Sequence, residues 1–162
     1  MEKPDNNKIG VESKNKSEKV YNTSLPEGFR FTEFRFGDEN NWAYIQYSAE
    51  IFKDYQSAIR KIFEEEYRLR GYFKNRCLFL ENEEGIRIGT LMIVPSDLEE
   101  GIQEIKYLAL IPKYQGQGLE ELLLAQANKV FSKIKGATRI DIDSYKGKSN
   151  LSFEKLGFEK IW

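Results

Sequence analysis

The chain has 162 residues, 40% of them apolar, 31% charged and 14% aromatic, which fits one globular domain able to bury a sizeable core. A net charge of −1 supplies no global field to recruit nucleic acid, and one cysteine excludes an internal disulfide. The chain has no histidine, which excludes Ser-His-Asp, Cys-His and HExxH sites, so acid and base work falls to Asp, Glu, Tyr, Lys, Cys or water.

Residues 1–24 are rich in Lys, Glu, Asn and Ser with few apolar groups. Such a segment buries too little surface to offset its ordering entropy, so a mobile tail is expected there, followed by a single domain over 25–162. The first twenty residues lack the apolar stretch of a signal peptide, and no run approaches the ~18 apolar residues of a membrane span. These features predict a cytoplasmic protein without membrane or nucleic-acid partners. "GFRFTEFRF", Gly28 to Phe36, alternates apolar and polar residues and predicts a strand. Asp38 is the candidate N-cap of a following short helix. "YQSAIRKIFEEEYRLRGYF" predicts a stronger helix, with Tyr55, Ile59, Ile62, Phe63 and Tyr67 on its buried face. The pairs Glu64–Arg68 and Glu66–Arg70 fall on its wet face. Leu78 to Leu80 and Ile86 to Val94 predict a hairpin through "ENEEG", and "IQEIKYLALIP" a further strand stopped by Pro112. From Leu119 the apolar period becomes 3.6, through Leu122, Leu123, Ala127, Val130, Phe131 and Ile134. "TRIDID" is then a strand, "NLSFEKLGF" a short helix, and "FEKIW" a last strand. This order predicts a mixed α/β domain.

The segment between the fourth predicted strand and the long helix, "IPKYQGQGLEELL", carries the chemistry. Gly116 and Gly118 leave backbone amides unobstructed where the helix begins, and the helix dipole adds about half a positive charge there. Both effects favour a diphosphate. A P-loop is excluded because no Lys-Ser or Lys-Thr follows the glycines, and a dinucleotide fingerprint lacks its third glycine, since position 121 is Glu.

Gln115-Gly116-Gln117-Gly118-Leu119-Glu120 resembles the Q/R-x-x-G-x-G/A segment of the Gcn5-related N-acetyltransferase superfamily. "FEKLGF", Phe153 to Phe158, resembles that family's "YEKLGF". The resemblance runs from about Phe29 to Trp162. It implies a central mixed, mostly antiparallel sheet flanked by helices, with two splayed strands forming a coenzyme A cleft. It further implies an N-acetyltransferase that moves an acetyl group from acetyl-CoA to an amine-bearing small molecule or peptide by direct attack, without a metal. The amides of Gln115, Gly116, Gln117, Gly118, Leu119 and Glu120 would hold the pyrophosphate. Leu108, Ala109 and Leu110, on the strand from Tyr107, would pair their backbone with the pantetheine arm. Glu104 resembles the general base of some members. Two positions depart from the pattern. Glu120 stands where the family prefers Gly or Ala, and Phe153 where many members carry the tyrosine that protonates the leaving thiolate. Tyr145 is the substitute candidate for that acid. A non-catalytic acyl-CoA-binding or sensory module on the same fold is the alternative.

Several of these residues have plainer readings. Glu104, Asp141 and Asp143 also fit the wet face of a strand, and Tyr107 and Tyr145 fit packing or a loop. Cys77 sits in an apolar strand and reads as a buried structural thiol. Trp42, Tyr44 and Tyr47 fit either core packing or contacts to an acceptor. Exposed strand edges leave room for a homodimer.

Overall fold

The computed structural model describes residues 11–13, 24–137, 139–142 and 159–160. Its strands are β1 (Val11–Ser13), β2 (Arg30–Glu33), β3 (Cys77–Glu81), β4 (Arg87–Pro95), β5 (Ile102–Leu110), β6 (Arg139–Ile142) and β7 (Glu159–Lys160). Its α-helices are α1 (Glu39–Ser48), α2 (Tyr55–Arg68), α3 (Phe73–Arg76) and α4 (Leu119–Ser132). A turn of 3-10 helix, Pro112–Tyr114, follows β5 and is opened by the proline that stops the strand. The strands form one sheet in the order β2-β3-β4-β5-β6-β1-β7. Among the described residues its one parallel pair is β5 with β6, so the sheet is mixed and mostly antiparallel. Within the stretch read as a tail, Val11–Ser13 pair with both β6 and β7.

Alternation along the strands divides the core into two layers. Leu78 and Leu80 of β3 pack toward α4, with Ile105, Leu108 and Leu110 of β5 and Leu119, Leu123 and Phe131 of the helix. Cys77 and Phe79 face the other way, into a layer with Trp42 and Ile45 of α1 and Ala58 and Ile62 of α2. A Cβ on Gly89 of β4 would clash with Leu110 Cδ2 and sit 3.2 Å from Leu123 Cδ1. Glycine there lets α4 lie close on the sheet, which fixes the helix start against the end of β5.

The caps and ion pairs differ from the sequence expectation in instructive ways. Asp38 does stand before α1, but its carboxylate accepts from the Arg35 amide at 2.8 Å and from Asn41 Nδ2 at 3.0 Å. Asp38 also pairs with Arg87, which contacts Glu81, while Arg30 Nε donates to Glu81 at 2.7 Å. This chain of charges ties the start of α1 to β2, β3 and β4. Asp54 caps α2 by accepting from the Ser57 amide at 2.7 Å. The buried stripe of α2 runs through Ala58, Ile62 and Glu65, while Phe63 and Tyr67 are 54% and 71% exposed. The stripe is rotated from the expected one because Glu65 is neutralised by Arg68 at 2.8 Å and by Lys61 at 3.8 Å. A paired carboxylate can be buried where a bare one cannot. Arg68 is therefore taken by Glu65 rather than Glu64, and Arg70 lies 4.2 Å over the Tyr67 ring.

The helix expected over 150–158 lies outside the described residues, as do Asp143, Tyr145 and Phe153. Among the described residues no helix is long and apolar enough to cross a membrane.

Candidate active site

The site is built along β5, whose two halves differ in their neighbours among the described residues. β6 pairs with β5 from Ile102 to Ile105, opposite Arg139 to Ile142. Among the described residues, the run from Lys106 to Leu110 has β4 alone as its partner. A bulge marks the change. Thr90 pairs with Ala109 and Met92 with Lys106, so Tyr107 and Leu108 together oppose Leu91. Tyr107 takes φ +59°, a left-handed conformation that costs a non-glycine residue about 1–3 kcal/mol and needs external support. Gln46, fully buried on α1, supplies it by donating from Nε2 to the Tyr107 carbonyl at 2.8 Å. The Tyr107 ring is held as well. It stacks on Phe52 at 6.1 Å and meets the Trp42 edge at 5.4 Å.

The bulge changes which side chains reach the α1 face. Leu108 and Leu110 go to the α4 layer, while Tyr107 and Ala109 go to the α1/α2 layer. Leu108, Ala109 and Leu110 are buried, so a ligand beside this half of β5 meets their backbone. Glu104 projects to the same side as Lys106, two residues on, and their charged atoms stand 3.4 Å apart. The Glu104 side chain keeps 16% of its exposure and that of Lys106 25%, so the pair is reachable from solvent. The backbone of Asp141 lies opposite Glu104 across the parallel pair.

The glycine loop follows directly. Gln115 Nε2 donates to the Leu110 carbonyl at 2.8 Å, closing the loop onto the end of β5. Gln117 Nε2 donates to the Lys113 carbonyl at 2.9 Å, and Asn82 Nδ2 donates to the Tyr114 hydroxyl at 3.0 Å. Gly116 and Gly118 have φ of +76° and +81°, and a Cβ on either would meet nothing within 4 Å. These glycines are needed for backbone conformation, and the space a side chain would take is open. Gly118 stands at the N-cap of α4 and brings no capping side chain. The loop therefore presents an open, amide-lined entrance at a 14-residue helix, the arrangement that suits an anionic group.

Glu120 enters that arrangement from within. It is fully buried, and its Oε1 accepts from the Gly116 amide at 3.1 Å. The carboxylate thus turns inward and engages one of the amides assigned to the cradle. A negative side chain in the first turn is favoured by the helix dipole, which explains why it tolerates burial.

The structure brings Leu108, Ala109, Leu110 and the loop from Gln115 to Glu120 together around the open half of β5, with Glu104 one bulge away on the same strand. Tyr145 lies outside the described residues. Gln46 and Lys106 are additions. Gln46 could have been found as a polar residue four positions from Trp42, on the helix face that also buries Ala43. Cys77 is fully buried and burial pushes its thiol far up, so it is no nucleophile. Trp42 is core, whereas Tyr44 and Tyr47 are 57% and 47% exposed. Among the described residues no group of three or more Cys, Asp or Glu side chains is placed to hold a metal ion.

Solved structures share this fold. A GCN5-related N-acetyltransferase from Sphaerobacter thermophilus aligns over 94% of the chain and 49% of its own length, with a TM-score of 0.70 and 14% identity. One from Kribbella flavida aligns over 95% and 54%, with a TM-score of 0.63 and 14% identity. A GCN5-related glucosamine N-acetyltransferase region of a fungal multi-domain GH3 β-N-acetylglucosaminidase aligns over 98% and 20%, with a TM-score of 0.68 and 13% identity. The chain thus spans about half the length of the two bacterial proteins. No curated protein sequence matches it. The acetyltransferase (GNAT) family profile matches residues 34–158, a stretch that takes in the bulged strand, the glycine loop and α4, and the chain belongs to that family.

Proposed function

We propose that this protein is an N-acetyltransferase that uses acetyl-CoA to acetylate an amine-bearing small molecule or peptide, within a single domain over residues 25–162. The observation that carries this reading is the half of β5 that, among the described residues, pairs with β4 alone and runs directly into an αL glycine loop at the start of α4. A sheet edge and an amide cradle in sequence match a ligand with a peptide-like arm and a diphosphate. The backbone of Leu108, Ala109 and Leu110 would pair with the pantetheine arm, and the amides from Gln115 to Glu120 would receive the pyrophosphate. Bound acetyl-CoA supplies the activated thioester. The open space at Gly116 and Gly118 suits it, and the inward carboxylate of Glu120 opposes it.

The protein's own part is positioning and proton removal. An amine attacks only in its neutral form, so an ammonium that enters the site must lose a proton. Glu104 would take that proton, directly or through one water. Its contact with Lys106 already shows that this carboxylate accepts a cationic nitrogen at 3.4 Å. The Trp42–Phe52–Tyr107 cluster would hold the bulge rigid while the acceptor approaches along the α1 face. Tyr145 remains the assigned acid for the leaving thiolate.

Free thiol released from acetyl-CoA in the presence of an amine panel tests the reading. Turnover is expected to fall about 10²–10⁴-fold in Glu104→Gln, with acetyl-CoA affinity unchanged. Acetyl-CoA binding without turnover on any amine would instead favour a non-catalytic acyl-CoA-binding module. Glu120 on the Gly116 amide is the observation that motivates that second reading.

A further inference from the structure

The most exposed apolar side chains are gathered rather than scattered. Among the described residues Phe36 is 101% exposed and Leu98 90%, and both flank the second half of α2, whose outer face carries the exposed Phe63 and Tyr67. Phe63 and Tyr67 stand one turn apart on that face. At about 200 Å² for a whole aromatic side chain, Phe36, Phe63 and Tyr67 leave roughly 450 Å² in contact with water, more than half of the about 800 Å² that each partner buries in a stable interface.

Charge is divided across this patch. On one side lies a groove of about 460 Å³ walled by Phe34, Phe36 and Phe73. Arg35, Arg70 and Lys74 line it as well, all three exposed. Its one carboxylate, Glu66, is half-buried, and burial raises its carboxyl toward neutrality. Arg70 lies 4.2 Å over the Tyr67 ring, which joins the groove to the helix face. On the other side is the turn over 96–101, between β4 and β5. It sets Leu98 among Asp97, Glu99 and Glu100, all exposed, and Arg68 Nη1 meets Asp97 Oδ1 at 3.7 Å. Glu66 lines the groove and Arg68 holds the turn, and two residues apart on a helix they point to opposite sides. Tyr67, between them, faces outward.

We propose that this face is a self-association surface, on which a second copy of the chain sets its Leu98 turn into the Phe36 groove. A two-fold axis near Tyr67 exchanges the two sides, so each copy inserts its own acidic turn into the basic groove of the other. Three carboxylates then meet three cations at each contact, Leu98 enters a groove walled by aromatic rings, and Phe63 and Tyr67 close the middle. Turn against turn, or groove against groove, would set like charges together, which fixes the orientation of the pair. The proposal goes beyond the acetyl-transfer reading and does not depend on it, because no residue of the glycine loop takes part.

The test is sedimentation velocity of the full chain from about 1 to about 500 μM. The expected result is a monomer–dimer equilibrium whose mass rises from 19.0 kDa toward twice that value and which weakens as salt is raised. Leu98→Asp should weaken the dimer at least tenfold. Two charge-swapped variants then decide the orientation. Glu99→Lys with Glu100→Lys makes the turn basic, and Arg70→Glu with Lys74→Glu makes the groove acidic. Each variant alone should stay monomeric, and their equimolar mixture should recover the dimer, because both contacts become attractive again. A parent that stays monomeric throughout the range, a dimer that Leu98→Asp leaves unchanged, or a mixture of the swapped variants that stays monomeric would each overturn the proposal.

Discussion

Ile102–Ile105 and Lys106–Leu110 are halves of one strand with opposite surroundings. The first half pairs on both edges, with β4 and with β6. The second pairs with β4 alone among the described residues, after a bulge whose Tyr107 sits at φ +59°. Both halves bury apolar side chains in the α4 layer, Ile105 in one and Leu108 and Leu110 in the other. Side-chain burial therefore does not distinguish the structural half from the half proposed to face a ligand. Backbone pairing does. A strand that is anchored in the core by its side chains can keep one edge of its backbone available, and the bulge with its Gln46 support changes the backbone register without loss of packing.

The loop after the open half offers the largest test of that division. Gly118→Val places a β-branched side chain at φ +81° and fills the open space above the loop. Loss of the cradle amides removes about 4 kcal/mol of charge-assisted hydrogen bonding, or about 1,000-fold in acetyl-CoA affinity by calorimetric titration. Affinity within threefold of the parent would show that the loop holds no pyrophosphate. Glu120→Gln acts in the opposite direction. A carboxylate ~6 Å from a phosphate costs roughly 1–3 kcal/mol, depending on screening, so its neutral isostere should bind acetyl-CoA about tenfold to a hundredfold more tightly. The gain should shrink as salt is raised. Weaker binding in Glu120→Gln would mean that the carboxylate organises the Gly116 amide rather than competing for it.

The contrast between these two positions also explains what could be read from the sequence. The loop was legible because glycine pairs between a strand and an apolar helix have few structural explanations, and the order of strands from Arg30 onward followed from periodicity, whereas the strand Val11–Ser13 was read as tail. The direction of Glu120 was not legible, since an acidic residue in a first helical turn fits solvent as well as burial, and only the Gly116 amide contact decides it. The buried face of α2 was misread for a related reason. Phe63 and Tyr67 carry more apolar area than Ala58, but Glu65 could be buried once Arg68 and Lys61 neutralised it. The bulge at Tyr107 was invisible for want of a local marker. Its support comes from Gln46, 61 residues earlier in the chain.

That support can be removed. Gln46→Leu leaves the Tyr107 carbonyl without its buried donor, which costs about 1–3 kcal/mol of stability in urea unfolding. The acetyl-CoA affinity should fall with it, since the open half of β5 is held in place by the same contact. An unchanged unfolding midpoint would show that the aromatic packing of Tyr107 alone fixes the bulge.

The helix that carries Gln46 is itself braced by a titrating contact, and here the expected effect is smallest. Burial first, and then a hydrogen bond with Glu39 at the start of α1, raise the Glu66 carboxyl from 4.5 to about 7. The folded state thus keeps a proton that the unfolded chain has lost between those values. The contribution of Glu66 to stability is fully present below about pH 4.5 and declines as pH rises to about 7. Glu66→Gln, neutral throughout, should flatten that decline. Because Glu66 is only half-buried, the change should stay below about 1 kcal/mol, measured as the difference in urea stability between pH 5 and pH 8. A variant whose pH profile tracks the parent would show that Glu66 does not carry the decline.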